Sequence, residues 1–171
     1  GTRIDGFICP GHVAVITGSS AFDFIPRSYG LACAVTGFEP ADIMLAVLML
    51  IRQVNSRRPQ VEIEYRRAVS AEGNKTAQGY MREVFEPADT EWRGLGIIKS
   101  GGLNIRKRFS RFDAADVFPG DIPGPVFEND CICGDILRGV STPSDCPLFA
   151  SACTPDHPRG ACMVSAEGSC H

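Results

Sequence analysis

Residues 31–54, LACAVTGFEPADIMLAVLMLIRQV, read as a strand, a turn and a helix. Leu31 to Thr36 is a short apolar, strand-like run closed by Gly37. Pro40 suits the first position of a helix, where its missing N–H has no partner to lose. The helix then runs to about Val54. It is apolar nearly all round, so it is expected to be deeply buried. Its longest unbroken apolar run, Ile43 to Ile51, has nine residues. A membrane span needs about 20, which makes this a core helix and not an anchor.

The same alternation extends in both directions. Upstream, Ile4 to Cys9 is a strand candidate turned by Pro10-Gly11. His12 to Ile16 starts a helix, and Phe22, Ile25 and Tyr29 mark another short one. Downstream, Val61, Ile63 and Tyr65 alternate with Glu62, Glu64 and Arg66, the pattern of a half-exposed strand. Ala77, Tyr80, Met81, Val84 and Phe85 share one helical face, with Asn74 as its cap. Leu95 to Ile98 and Leu103 to Ile105 flank Gly101-Gly102 and are expected to pair as strands. Strands alternating with helices argue for an α/β fold, here a small layered, Rossmann-like domain over residues 1–118. Pro- and Gly-rich residues 119–125 read as a linker. An irregular cysteine-rich module follows over 126–171. The pentapeptide FEPAD occurs at 38–42 and again at 85–89, both near expected helix ends.

Bulk properties narrow the function classes. The chain has 171 residues, 44% of them hydrophobic, enough for one domain and an appendage. A net charge of −3 gives no electrostatic reason to expect nucleic acid. The short basic run Arg106-Lys107-Arg108 with Arg111 reads as a solvated surface. Gly1 to Asp5 has no secretory layout, and the reading is a cytoplasmic protein.

Six of the eight cysteines fall after residue 130. Without a secretory signal, such clustering favours a metal site over a disulfide framework. Several four-ligand sets are possible. One is Cys131, Cys146, Cys153 and Cys170, with 14, 6 and 16 residues between successive members. Four thiolates suit zinc or an iron–sulfur cluster, both thiophilic. Structural zinc sites use paired short knuckles, whereas Cys131-x-Cys133 stands alone here. The wide spacing, with Pro147 directly after Cys146, fits a cluster better.

These cysteines lie within Cys131-x-Cys133-Gly134, Cys146-Pro147-Leu148-Phe149, Cys153-Thr154-Pro155 and Cys162-Met163-Val164-Ser165-x-Glu167-Gly168-x-Cys170. Together with Pro10-Gly11-His12-Val13, Gly37-Phe38-Glu39-Pro40 and Glu91-Trp92-Arg93-Gly94-Leu95-Gly96, they resemble, in order, the C-terminal half of the HypD family of [NiFe]-hydrogenase maturation factors. The resemblance covers the whole chain. It implies a second α/β domain followed by a cluster domain, with Cys131, Cys146, Cys153 and Cys170 as ligands of a [4Fe–4S] cluster. It further implies a scaffold rather than a stand-alone enzyme. Such a scaffold assembles the Fe(CN)2CO moiety with HypC and HypE, the cluster transferring electrons. The family's first domain, with its Cys-x-x-Cys and Cys-Gly-x-His motifs, has no counterpart in these residues and would be a further partner. Ala161 stands where the family usually has proline.

Three other residues are candidates for chemistry. His12 follows a strand and a turn at a helix start, where a neutral imidazole is favoured that can ligate metal or relay a proton. Glu39 ends a strand directly before Pro40. In an open α/β sheet, His12 and Glu39 would share the carboxyl edge of the strands, where clefts form. Glu167, three residues before Cys170, is a candidate proton relay beside the metal. Cys133 and Cys162 stand outside the implied ligand set, as neighbouring thiols or as a redox pair. Two further functions stay open: a thiol–disulfide oxidoreductase resembling ferredoxin–thioredoxin reductase, which would need that pair, and a zinc-stabilised interaction module.

Overall fold

A computed structural model describes residues 4–118, 120 and 130–171. The chain is α/β and forms two compact units, one running to Glu83 and one from Val84 to His171. The linker read at 119–125 lies, Gly120 apart, outside the described residues.

The first unit is built on a parallel sheet of β1 (Gly6–Pro10), β2 (Ala32–Thr36) and β3 (Val61–Ile63), in that spatial order. β1 pairs with β2 from Gly6↔Ala32 to Pro10↔Thr36, and β2 with β3 from Cys33↔Val61 to Val35↔Ile63. The central position explains the composition of β2, whose five residues are all buried. Alternation sends Cys33 and Val35 to one face, where they meet Cys9, Ala14, Val69, Phe22 and Ile25. This face is covered by α1 (Gly11–Thr17) and α2 (Phe24–Tyr29). The opposite face carries the small residues Ala32, Ala34 and Thr36, which lets α3 (Pro40–Ser56) approach closely. At Gly6 the approach is so tight that a Cβ would lie 3.2 Å from Leu50.

α3 corrects one expectation. It begins at Pro40 as the sequence indicates, but it is not buried all round. Its buried residues are Asp42, Ala46 and Gln53. Ile43, Met44, Leu45, Leu48, Ile51 and Val54 are exposed. The helix ends at Arg57, which takes the left-handed conformation, φ 55°.

α4 (Lys75–Val84) is capped by Asn74, whose Oδ1 accepts from the Ala77 N–H at 3.0 Å. Phe85, read as helical, instead opens a strand. In the second unit β4 (Phe85–Trp92) and β5 (Gly96–Ile105) form an antiparallel hairpin, registered from Phe85↔Ile105 to Trp92↔Gly96. The two segments expected to pair with each other, 95–98 and 103–105, are therefore parts of one strand. The first FEPAD copy starts a helix, and the second opens β4. Beyond the hairpin come a 3-10 segment (Lys107–Phe112), α5 (Ala114–Val117), α6 (Cys133–Leu137) and two short 3-10 turns, Pro143–Asp145 and Ala161–Met163. No helix among the described residues is long and apolar enough to cross a membrane.

Candidate metal centre

The second unit brings six cysteines together by local devices. Cys131 precedes α6, and Cys133 is its first residue. Thr142 and Asp145 bond reciprocally around the turn 143–145: the Thr142 N–H and hydroxyl both donate to Asp145 Oδ2 at 2.8 Å. Cys146 follows at once, its N–H donating to the Pro143 carbonyl. Cys153 is held by its N–H to the Leu148 carbonyl at 2.8 Å. Cys162 sits in the second turn, and its carbonyl accepts from the Cys170 N–H at 2.9 Å.

All six are free thiols. Cys133, Cys153, Cys162 and Cys170 are buried with Ile136 and Met163, and Cys131, Cys146, Ile132, Leu148 and Ala161 pack around them. Among the described residues, the groups packed together here are thiols and apolar side chains, a soft-ligand environment. Cys162 and Cys170 approach to 3.1 Å between sulfurs, and Cys133 lies within hydrogen-bonding reach of Cys162. The Arg159 N–H donates to Cys153 Sγ at 3.2 Å. Burial raises the Cys131 and Cys133 thiols, and burial followed by the neighbouring Cys170 pushes Cys162 up to about 11. A metal must displace protons from these thiols to bind. Among the described residues no three His, Cys, Asp or Glu side chains converge on one point that would hold a single metal ion.

The hairpin supports this centre. Leu95 N–H closes a tight turn on the Trp92 carbonyl at 2.9 Å, with Gly94 at φ 80°. Gly94 presses on α6: a Cβ there would lie 3.2 Å from the Gly134 nitrogen and 3.3 Å from Cys133 Sγ. Arg93 Nη2 donates to the Arg159 carbonyl at 2.9 Å. Arg93, Gly94, Cys131, Cys133, Arg159, Gly160 and Ala161 line a small cavity of about 110 Å³. The motif at 91–96 thus forms a wall of the thiol pocket, a role its spacing in the sequence does not disclose.

Of the remaining candidates, His12 and Glu39 belong to the first unit and Glu167 to the second. Pairing of Pro10 with Thr36 places His12 and Glu39 just beyond the carboxyl ends of β1 and β2. His12 is exposed and stacks on Phe38 at 4.6 Å, with Tyr65 at 6.4 Å. Glu39 is exposed, 3.6 Å from Arg67. Arg67 grips the buried Asp42 through two bonds, 3.1 and 2.6 Å, and lies over the Tyr65 ring at 4.3 Å. The guanidinium holds the Asp42 carboxyl below the ordinary carboxylate range. Sequence reading missed Asp42, Tyr65 and Arg67, because 25 residues separate the ion pair and only the fold joins them. Glu167 is exposed in the turn before Cys170. Cys9 and Cys33 are core residues of the first unit; burial first, then the nearby Cys33, pushes the Cys9 thiol up to about 12 and keeps it inert.

A small α/β unit followed by a thiol-rich pocket defines a cysteine-rich α/β protein. Comparison makes the assignment specific: the family model described as HypD, hydrogenase formation hypA family, matches residues 1–171. The hydrogenase maturation factor HypD of Cupriavidus necator is 51% identical over 170 residues, covering 98% of this chain and 44% of its own. A putative hydrogenase expression/formation protein of Methanocaldococcus jannaschii is 45% identical, covering 99% and 48%. The HypD factor of Rhizobium leguminosarum is 46% identical, covering 98% and 44%. The chain belongs to the HypD family of hydrogenase maturation factors. It spans a little under half the length of these curated relatives.

Proposed function

We propose that this chain contributes to a [NiFe]-hydrogenase maturation scaffold in the cytoplasm, and that its thiol pocket holds a [4Fe–4S] cluster through Cys131, Cys146, Cys153 and Cys170. The observation that carries the reading is the gathering of six free cysteines in one buried pocket. A mononuclear zinc site needs four donors within about 2.3 Å of one ion. A cubane takes one thiolate per iron and suits thiols set around a larger volume. Bound there, the cluster supplies one-electron transfer. The chain's own part is to exclude water with Ile136, Leu148 and Met163 and to direct the Arg159 N–H at Cys153 Sγ. By the family resemblance, the cargo is the Fe(CN)2CO moiety and the partners are HypC-like and HypE-like proteins. His12 and Glu39 would line a cleft at the carboxyl edge of the sheet, and Glu167 would serve as a proton relay near the cluster.

A second reading is favoured by one contact. Cys133 and Cys162 lie within hydrogen-bonding reach, and Cys162 is 3.1 Å from Cys170. A thiol pair beside a cluster ligand is what a cluster-coupled thiol–disulfide oxidoreductase requires.

Anaerobic purification is expected to give a brown protein with about four irons and four sulfides per chain. Stoichiometric zinc without labile sulfide would sink the cluster. Thiol titration of the same preparation before and after reductant separates the two readings: a gain of two thiols supports the oxidoreductase, no gain the scaffold.

A further inference from the structure

One short loop of the second unit touches three of the clustered sulfurs. Arg159 uses both ends of its backbone: its N–H donates to Cys153 Sγ at 3.2 Å, and its carbonyl accepts from Arg93 Nη2 at 2.9 Å. Gly160, the next residue, is buried so tightly against Cys131 Sγ that a Cβ would lie 2.6 Å from it. The backbone of Cys162 and Ala161 bonds to the Cys133 sulfur. Yet the approach to this loop, from Pro155 to Arg159, is exposed, so burial does not hold it in place. The bond from Arg93 reaches it from 66 residues away in the chain.

Arg93 stands on a firm base. The turn that carries it is closed by the Leu95 N–H on the Trp92 carbonyl. Trp92 is itself pegged across the hairpin, its Nε1 donating to the Gly101 carbonyl of β5 at 2.9 Å. Arg93 is half-buried and lines the small cavity shared by Cys131 and Cys133. A guanidinium on a carbonyl makes a charge-assisted bond, stronger than one between neutral groups. A hydrogen bond to a cluster sulfur draws negative charge from it, more so once the cluster is reduced, and so raises the reduction potential. That effect weakens steeply when the N–H drifts out of line. We infer that Arg93 is a positioning residue of the metal centre: by holding the Arg159 carbonyl it keeps the Arg159 N–H on the Cys153 sulfur and thereby holds the cluster's reduction potential up. The inference rests on the [4Fe–4S] reading of the pocket.

The test uses the anaerobically purified 171-residue chain, with iron and labile sulfide assayed first. A wild-type chain without them ends the [4Fe–4S] reading and the inference with it; results on loaded chains bear on the inference alone. Dithionite then supplies one electron per cluster, and the midpoint is read from the paramagnetic resonance of the reduced form. Arg93→Met, similar in reach but without a donor, should lower the reduced-to-oxidised ratio at a fixed potential about tenfold, a midpoint about 59 mV more negative. Arg93→Lys keeps a charged donor and should recover most of the difference. Lys99→Met removes the same charge from an exposed site on β5 and should leave the midpoint unchanged. Resonance Raman adds a readout that folding alone does not move. The Fe–S(Cys) stretches of the wild-type chain should shift on exchange into D2O, and Arg93→Met should diminish that shift. If Arg93→Met holds no iron, Arg93→Gln, two bonds shorter and out of reach of the carbonyl, takes its place with the same expected fall. The inference is overturned by a wild-type midpoint in the loaded Met or Gln variant, or by an equal fall in Arg93→Lys or Lys99→Met. Absence of a deuterium shift in the wild-type chain, which needs no variant, overturns it as well.

Discussion

Gly160 shows how little room the thiol pocket leaves. Its backbone, φ −98° and ψ 156°, is open to any residue, so the absence of a side chain concerns space alone. A Cβ there would stand 2.6 Å from Cys131 Sγ and 3.2 Å from Cys133 Cβ. Gly160→Ala must displace one of the thiols or the loop carrying it, at a cost of about 1–3 kcal/mol typical of overpacking. The expected outcome is an iron and sulfide content well below wild type, with the first unit unchanged by circular dichroism. A variant that loads as fully as the wild type would show that Cys131 is free to move. The cysteines were legible in the sequence because their number and clustering are compositional. The neighbours that shape the pocket were not. Gly160, Gly94 and Gly134 matter through contacts with residues far off in the chain, Cys131 and Cys133 for Gly160, and each other for Gly94 and Gly134, and a single sequence carries no trace of that proximity.

α3 is fastened to the sheet by its few polar or small inward residues. Gln53 is buried; its Nε2 donates to the Cys33 carbonyl at 3.1 Å, and its Oε1 accepts from the Gln60 N–H at 3.0 Å. One side chain thereby ties the helix to the central strand and to the loop that leads into β3. Gln53→Ala removes the amide partner of the buried Cys33 carbonyl and of the Gln60 N–H and is expected to cost about 1–3 kcal/mol. A lower denaturant midpoint at unchanged m-value would register this; an unchanged midpoint would mean that water replaces the amide. The bounds of α3 were readable from Pro40 and the apolar run, whereas its degree of burial was not. Apolar content does not say which face of a helix a neighbour covers, and here Ile43, Met44, Leu45, Leu48, Ile51 and Val54 stay exposed. The hairpin failed for a different reason. Gly101-Gly102 looks like a turn, yet both residues lie within β5, and a Cβ on Gly102 would collide with the Thr90 side chain of β4. These glycines serve close strand packing, and the turn itself falls at Gly94.

The division of the molecule sets how far damage spreads. The second unit has a small core made largely of cysteines with Ile136 and Met163, and a core of that size rarely sustains a fold unaided. With the proposed metal bound, its ligation would supply much of the folding free energy. Cys146→Ala is expected to unfold the thiol pocket and loosen the hairpin packed on α6, while the sheet of the first unit stays protected. Hydrogen exchange should show loss from about Val84 onward. Retained protection around α6 without metal would remove the argument, and uniform loss across the chain would make the two units one cooperative whole. The first unit has a different asymmetry, because α3 is pegged inward by Asp42, Ala46 and Gln53 and not by its largest side chains. Its position is settled before anything covers its outer face. The exposed apolar side chains of α3 are thus held in a preorganised geometry, and any group that docked on them would meet a rigid surface instead of ordering one. Less entropy is lost on association, so the encounter should be fast, and its persistence should depend on how quickly the partner can leave.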